Sequence, residues 1–348
     1  MPATTIVISA LASNVIGTGH LRRMITLSRA LQQIGTVRLC FHTTELGERI
    51  LADSGLLTAE DSILAASDDP AAGVAQLIDR LPELGADIVI LDNYFWHADH
   101  ENQLAPNCRL LVVVDDLTDR SHSADILLNP NPNANAAGYA ARVSDRCTLL
   151  VGADYCLIGE AFRHLRNAGV PSPADRLRLR PIFLSLGGGD PNQDMLRLTE
   201  LALATTDRPL SIATGSHIAD APALAALAAR TPERIELVFD SPRVAEQMNG
   251  SAFAVAAGGT MTWERATLGL PSLSLIAADN QLEATLWLEN LGYHTAFDLR
   301  PNWSDQAFAE ALGAYDADEA LRQQQAAASL TLIDGAGAAR VASTILSR

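Results

Sequence analysis

Two α/β domains, each a parallel sheet covered by helices, are the fold that three features of the chain predict. Short β-branched or apolar runs alternate throughout with longer stretches of helical period, the pattern of strand–helix–strand units. At 348 residues the chain exceeds one ordinary core and suits two domains of roughly 150 to 180 residues. The alternation is broken once, by the polar, Pro- and Gly-bearing "RNAGVPSPADRLRLRP", and then restarts. The expected division is a first domain over 1–165, a linker over 166–180 and a second domain over 181–348 that keeps the terminal helices.

The first expected strand is "TTIVISAL", which leaves through Gly17 and Gly19 toward a helix opening near His20. That helix, "HLRRMITLSRALQQIG", has a 3.6-residue apolar period and ends at Gly35, the residue that C-caps prefer. "TVRLCFH", "ADIVILDN", "RLLVVVDD" and "CTLLV" continue the first sheet. After the break come "IFLSLGGGD", "PLSIATGSH", "RIELVFD", "SAFAVAAGGT" and "PSLSLIAADN", each ending in small or polar residues. In open parallel sheets ligands bind at the carboxyl ends of strands, so function is expected at those endings and in a cleft between the domains.

Composition narrows the partners. Apolar residues make up 48% and charged residues 19%, a globular balance. A net charge of −16 argues against nucleic acid or an anionic membrane, each of which needs a basic face. All 25 basic residues are arginines, so neither a Schiff-base lysine nor a Walker-type phosphate loop is present. Cys40, Cys108, Cys147 and Cys156 lack zinc spacing and read as reduced thiols. The N-terminus has no signal-peptide pattern and no apolar run approaches membrane length, so a cytoplasmic protein is expected.

The glycine-rich endings carry the chemistry. The first is not a dinucleotide fingerprint, because Arg22 stands where G-x-G-x-x-G needs its third glycine. His20 there lies at a helix start, whose dipole favours a neutral imidazole able to accept a proton. "SLGGGDPN", with Gly188, and "AAGGTMTWE" each pass from a strand through glycines to an expected helix. Gly258, Gly259 and Thr260 are suited to cradle a diphosphate on backbone N–H groups. Glu264, one turn further, can accept both hydroxyls of a ribose, and Asn280 and Gln281 follow at the next strand end. Together these endings point to a nucleotide-sugar site. "DDLTDRSHSAD" reads as a strand-end turn with Asp116 capping and Arg120 pairing locally, rather than as a metal site. In "LDNYFWHADHE" the aromatic cluster reads as packing, with Tyr94 best placed to face the cleft.

The motifs "GTGHLRRMITLSRAL", "VVVDDLTDRSHSADILLNPN", "LVGADYCLIGEAF", "SLGGGDPN" and "AAGGTMTWERATLGLPSLSLIAADNQ" resemble, in order, those of the UDP-2,4-diacetamido-2,4,6-trideoxy-β-L-altropyranose hydrolases of pseudaminic acid biosynthesis. The resemblance spans about residues 5 to 295. It implies a GT-B fold of two Rossmann-like domains facing across a cleft, related to the glycosyltransferase that builds lipid II. It also implies transfer of the sugar from UDP to water with inversion, without metal or other cofactor. The family's general base falls on His20, beside Gly17 and Gly19 of the same loop. Its substrate contacts fall on Tyr94 and Asn280, with Gln281 adjoining. Its UDP-binding set falls on Gly258, Gly259, Thr260 and Glu264, joined by Gly188. A downstream synthase of the sialic-acid type is the implied pathway partner. Gly159 departs from the family run, which often has arginine there, on the sugar-shaping stretch 152–162. The rival readings are a GT-B glycosyltransferase with an alcohol acceptor and a nucleotide-sugar-binding protein without turnover.

Overall fold

A computed structural model describes residues 3–13, 17–67, 69–190, 192–300 and 302–348. Residues 14–16 of the first glycine loop and Pro191 of "SLGGGDPN" lie outside the described residues. The chain divides into two compact units, one running up to Gly159 and taking in Gly335–Arg348, the other spanning Glu160–Asp334.

The first unit is built on seven strands: β1 (Thr4–Ser9), β2 (Val37–Thr43), β3 (Ser62–Ala65), β4 (Ile88–Asp92), β5 (Leu110–Val114), β6 (Ile126–Asn129) and β7 (Thr148–Val151). Their order is β3-β2-β1-β4-β5-β6-β7, and every pairing is parallel. Both faces are covered, which is why the strands read as unbroken apolar runs. Ile6, Ile8, Ile88, Ile90 and Val112 enter one core layer, while Val7, Val89, Leu91, Leu111 and Val113 enter the other. The chain winds outward from β1 through β2 and β3, then returns to begin again at β4. The loops leaving β1 and β4 therefore flank the switch point, where such sheets bind ligands.

The second unit repeats this plan with six strands: β8 (Ile182–Gly187), β9 (Leu210–Thr214), β10 (Ile235–Phe239), β11 (Phe253–Ala257), β12 (Ser272–Ile276) and β13 (Thr295–Asp298). The order is β10-β9-β8-β11-β12-β13, again all parallel, so the switch point lies between β8 and β11. The loops after those two strands are the glycine-rich ones. Each unit is thus a Rossmann-like domain, and the sequence patterning leads to the same architecture.

Three details differ from the expected organisation. The segment 166–180 is no free linker. Arg166 donates from Nη1 to the Thr267 carbonyl (2.9 Å) and from Nη2 to that of Leu330 (2.7 Å), and Arg176 is buried, so both tie the stretch to the second unit. The expected boundary at 165 falls instead at Gly159. The terminal helix Gly337–Leu346 belongs to the first unit rather than the second. Its Val341, Ala342 and Ile345 join the core layer of Leu21, Met24 and Leu31 from the helix Gly19–Ile34. Gly337 lies so close to the Cys156 backbone that no Cβ fits there. An amphipathic stripe shows that a helix will be buried, but not against which partner. Strands β3, β6 and β13, absent from the sequence reading, are only four residues each, and β3 and β13 sit at sheet edges.

Candidate functional site

In the first unit the loop after β1 delivers His20 to the second position of the helix Gly19–Ile34, buried to 6% exposure. Gly17, at φ +82°, makes the turn that a side chain would strain, and it bridges back to Ser13. Gly19 opens the helix on an exposed surface with nothing near a would-be Cβ.

The imidazole does not act alone. Its Nδ1 lies 2.7 Å from Oδ1 of Asp92, the last residue of β4, which is completely buried. Arg23, one helical turn after His20, forks onto the same carboxylate, from Nε to Oδ2 at 2.6 Å and from Nη2 to Oδ1. Its Nη1 donates to Asp116 Oδ1 at 2.9 Å, which also accepts from Asn131 Nδ2. Burial pushes the Asp92 carboxyl up, but Arg23 and His20 outweigh burial and hold it below the usual range. A carboxylate so held cannot donate, so Nδ1 carries a proton and donates it, and Nε2 takes no part in this pair. The 3.0 Å approach of Arg23 Nη2 to Nδ1 is then a contact between two donors and not a bond.

Tyr94 packs edge-on against His20, ring centroids 4.7 Å apart, and stays 41% exposed. Burial first, then Asp116, pushes its phenol up to about 12, so the hydroxyl is a donor at neutral pH. Asp116 therefore does not cap its own turn, as the sequence suggested. Asp115 does, accepting from the Thr118 N–H at 2.9 Å, while Asp116 reaches Arg23. Arg120 pairs locally with Asp119 and Asp115. Behind this turn His122 is buried with Nδ1 2.7 Å from Glu101 Oε1 and Nε2 3.8 Å from Asp115. Burial lowers His122, but hydrogen bonds to Asp115 and Glu101 overcome it and lift it to about 9.

In the second unit the two glycine turns differ. After β8, Gly187 takes φ +95° and Gly188 is exposed. The helix that follows, Asp194–Thr205, is already occupied at its start, since Asp190 accepts from the amides of Asp194 (3.0 Å) and Met195 (2.8 Å). A second anion is disfavoured at that helix start; Gly188 can serve only through its own loop backbone. After β11 the helix Thr260–Thr267 starts with no side-chain cap and no acid in its first turn. Gly259 there has φ +90°, and Gly258 would bring a Cβ to 3.1 Å from Gln281 and Thr285. Gly259 is required by its conformation, and at Gly258 a side chain would press on Gln281 and Thr285. Glu264 is half-buried one turn along this helix. Asn280 is exposed in the first turn of the helix Asp279–Asn290, whereas Gln281 Oε1 accepts from the Ala277 N–H (3.0 Å) and so also shapes the turn.

The structure thus brings His20, Tyr94 and Asp116 together with the unforeseen Asp92 and Arg23 in the first unit. It gathers Gly258, Gly259, Thr260, Glu264 and Gln281 in the second. Arg23 lay within view as the i+3 neighbour of His20, and Asp92 as an acid ending a strand. Their pairing, across 69 residues of chain, did not.

No protein-family model matches this chain, and no curated protein sequence does. Solved structures match it over nearly its whole length. MurG of Acinetobacter baumannii superposes with a TM-score of 0.70 at 13% identity, covering 100% of both chains. The UDP-GlcNAc 2-epimerase of Neisseria meningitidis bound to UDP-GlcNAc gives 0.65 at 11% identity, covering 99% of this chain and 100% of the other. The calicheamicin glycosyltransferase CalG4 gives 0.62 at 13%, covering 100% and 98%. These likenesses establish the GT-B class of fold.

Proposed function

We propose that the protein is an enzyme acting on a UDP-sugar, and that the reaction is hydrolysis at the sugar's C1 with inversion, releasing UDP and the free sugar. The motif resemblance supports a 2,4-diacetamido-2,4,6-trideoxy sugar of the β-L-altropyranose type, whose release would supply a synthase of the sialic-acid type. Solved neighbours whose names specify UDP-GlcNAc or UDP-glucose support the nucleotide-sugar class.

The observation that carries the reading is the His20–Asp92 pair. With Nδ1–H fixed on a buried carboxylate, Nε2 is left to take a proton from water, and the imidazolium formed is matched by Asp92. Water so deprotonated attacks C1, and the electrons of the C1–O bond leave with the diphosphate. The uncapped start of the helix Thr260–Thr267, with Gly258, Gly259 and Thr260, stabilises that developing charge. Glu264 takes the ribose hydroxyls. Tyr94, Gly17, Gly19, Asn280 and Gln281 are the sugar-side contacts, with the Gly188 loop completing the nucleotide side.

Incubation with UDP-sugars alone in ¹⁸O-water tests this. Free UDP should appear without any acceptor, with the label in the sugar. UDP release only on addition of an alcohol would make the protein a glycosyltransferase, binding without release would leave a carrier, and label in phosphate would move the attack to phosphorus.

A further inference from the structure

Three large basic side chains are buried to 1% exposure in the second unit: Arg176, Arg265 and Arg322. Burying a guanidinium without a counter-charge is costly, so each needs a negative potential from somewhere. Arg176 finds it at helix ends, donating to the carbonyls of Ser251 (2.8 Å) and Leu268 (2.7 Å), just past the helices Val244–Asn249 and Thr260–Thr267. Arg322 donates to Tyr315 (2.7 Å) and Asp316 in the last turn of the helix Asp305–Ala317, with the Asp316 carboxylate 3.8 Å away. Both therefore sit on the negative ends of helix dipoles.

Arg265 is placed the other way round. Its Nη1 donates to the carbonyl of Ala257, the last residue of β11 (2.9 Å), and its Nη2 to Thr262 Oγ1 (3.2 Å) and to Ser274 Oγ on β12 (2.9 Å). All three partners are neutral, and Nε has no partner. Among the described residues no carboxylate bonds the guanidinium, and the only one that acts on its charge is its chain neighbour Glu264. Burial draws Arg265 down to about 10, so it remains a cation at neutral pH. Ala257 and Thr262 flank the Gly258–Thr260 turn on either side. Arg265 itself lies in the last turn of that helix, but its guanidinium reaches back to Thr262 and Ala257 beside the helix start, where its field adds to the dipole instead of cancelling it.

We propose that Arg265 is a positioning residue and fixed counter-charge for an anion held on the Gly258–Thr260 turn. Its bonds fix the turn from behind, and the phosphates of the ligand complete its charge. This rests on reading that turn as the diphosphate site. It predicts a ligand with a doubly charged phosphate group, a nucleoside diphosphate rather than a nucleoside.

Calorimetric binding of UDP, inorganic pyrophosphate and uridine to the full chain, as wild type, Arg265→Met and Arg265→Lys, tests it. Arg265→Met should weaken UDP and pyrophosphate at least tenfold and leave uridine within twofold. Arg265→Lys, which keeps the charge but not the three bonds, should stay within threefold of wild type for UDP. Wild-type affinities in Arg265→Met overturn the proposal and leave the UDP-site reading standing. A tenfold loss in folded Arg265→Lys also overturns it, and that variant decides alone if Arg265→Met does not fold. Pyrophosphate binding that needs Arg265, without UDP binding, keeps the anion site and sinks the UDP-sugar reading. Binding of neither compound by the wild type sinks both.

Discussion

Around His20 in the first unit, Arg23 is shared between Asp92 and Asp116, and the imidazole is held by one of those carboxylates. Around Gly258–Thr260 in the second unit, Arg265 has only neutral oxygens to bond and an uncapped helix start beside it. The first arrangement satisfies its charges internally and fixes the orientation of a titratable group. The second has a positive charge that no carboxylate bonds. Groups that must move a proton need fixed geometry and a compensated charge, whereas groups that receive an anion need the opposite, a field with nothing in the chain to quench it. On the proposed reading, two domains of the same topology take these two roles, each at its own switch point.

The sharpest way to break this contrast is to remove the base. His20→Asn should lower turnover by roughly 10²- to 10⁴-fold while UDP binding stays near wild type, because it deletes the proton acceptor and little contact area. Steady-state kinetics beside UDP titration would show it, and a variant as active as wild type would take His20 out of the mechanism.

Asp92→Asn probes the support of the base, since it removes the charge that orients His20 and matches its imidazolium and disturbs the fork of Arg23. Replacing a charged hydrogen bond by a neutral one costs about 1 to 2 kcal/mol, or about tenfold in kcat. UDP affinity should not change, since Asp92 belongs to the first unit's cluster. If instead UDP binding fell and kcat held, the division of roles between the two units would be wrong.

The smallest effect concerns pH and the support behind the 115–118 turn. His122 is lifted to about 9 in the folded protein, above its ordinary unfolded value of about 6.5. It therefore contributes stability that is fully present below about 6.5 and is lost as pH rises through 9. The melting temperature should fall between those limits in wild type and fall less in His122→Gln. A wild-type melting temperature that is flat over this window would mean that His122 is not charged in the fold.

How much of this was legible in the chain depends on the reach of the interaction. The long apolar strands and the helix Gly19–Ile34 were visible because alternation and period are local. Strands β3 and β13 were not, since an edge strand of four residues carries too little burial to mark itself. Residue type alone does not tell which of two adjacent acids turns inward, so the 115–118 turn reads as capped by Asp116 whereas Asp115 caps it. The two glycine turns of the second unit looked equivalent in sequence, yet Asp190 closes the helix start after one and nothing caps the other.

By itself, then, the sequence determined the parallel-sheet class, the repeated plan and the positions of His20, the glycine turns and Glu264, because strand endings and backbone conformation are set by neighbours in the chain. Tertiary structure alone decided which acid holds His20, which unit receives the last helix, and that Arg265 is buried beside an uncapped glycine turn. Charge pairing and helix docking are set by distances in space between residues far apart in the chain, and no local pattern encodes those distances.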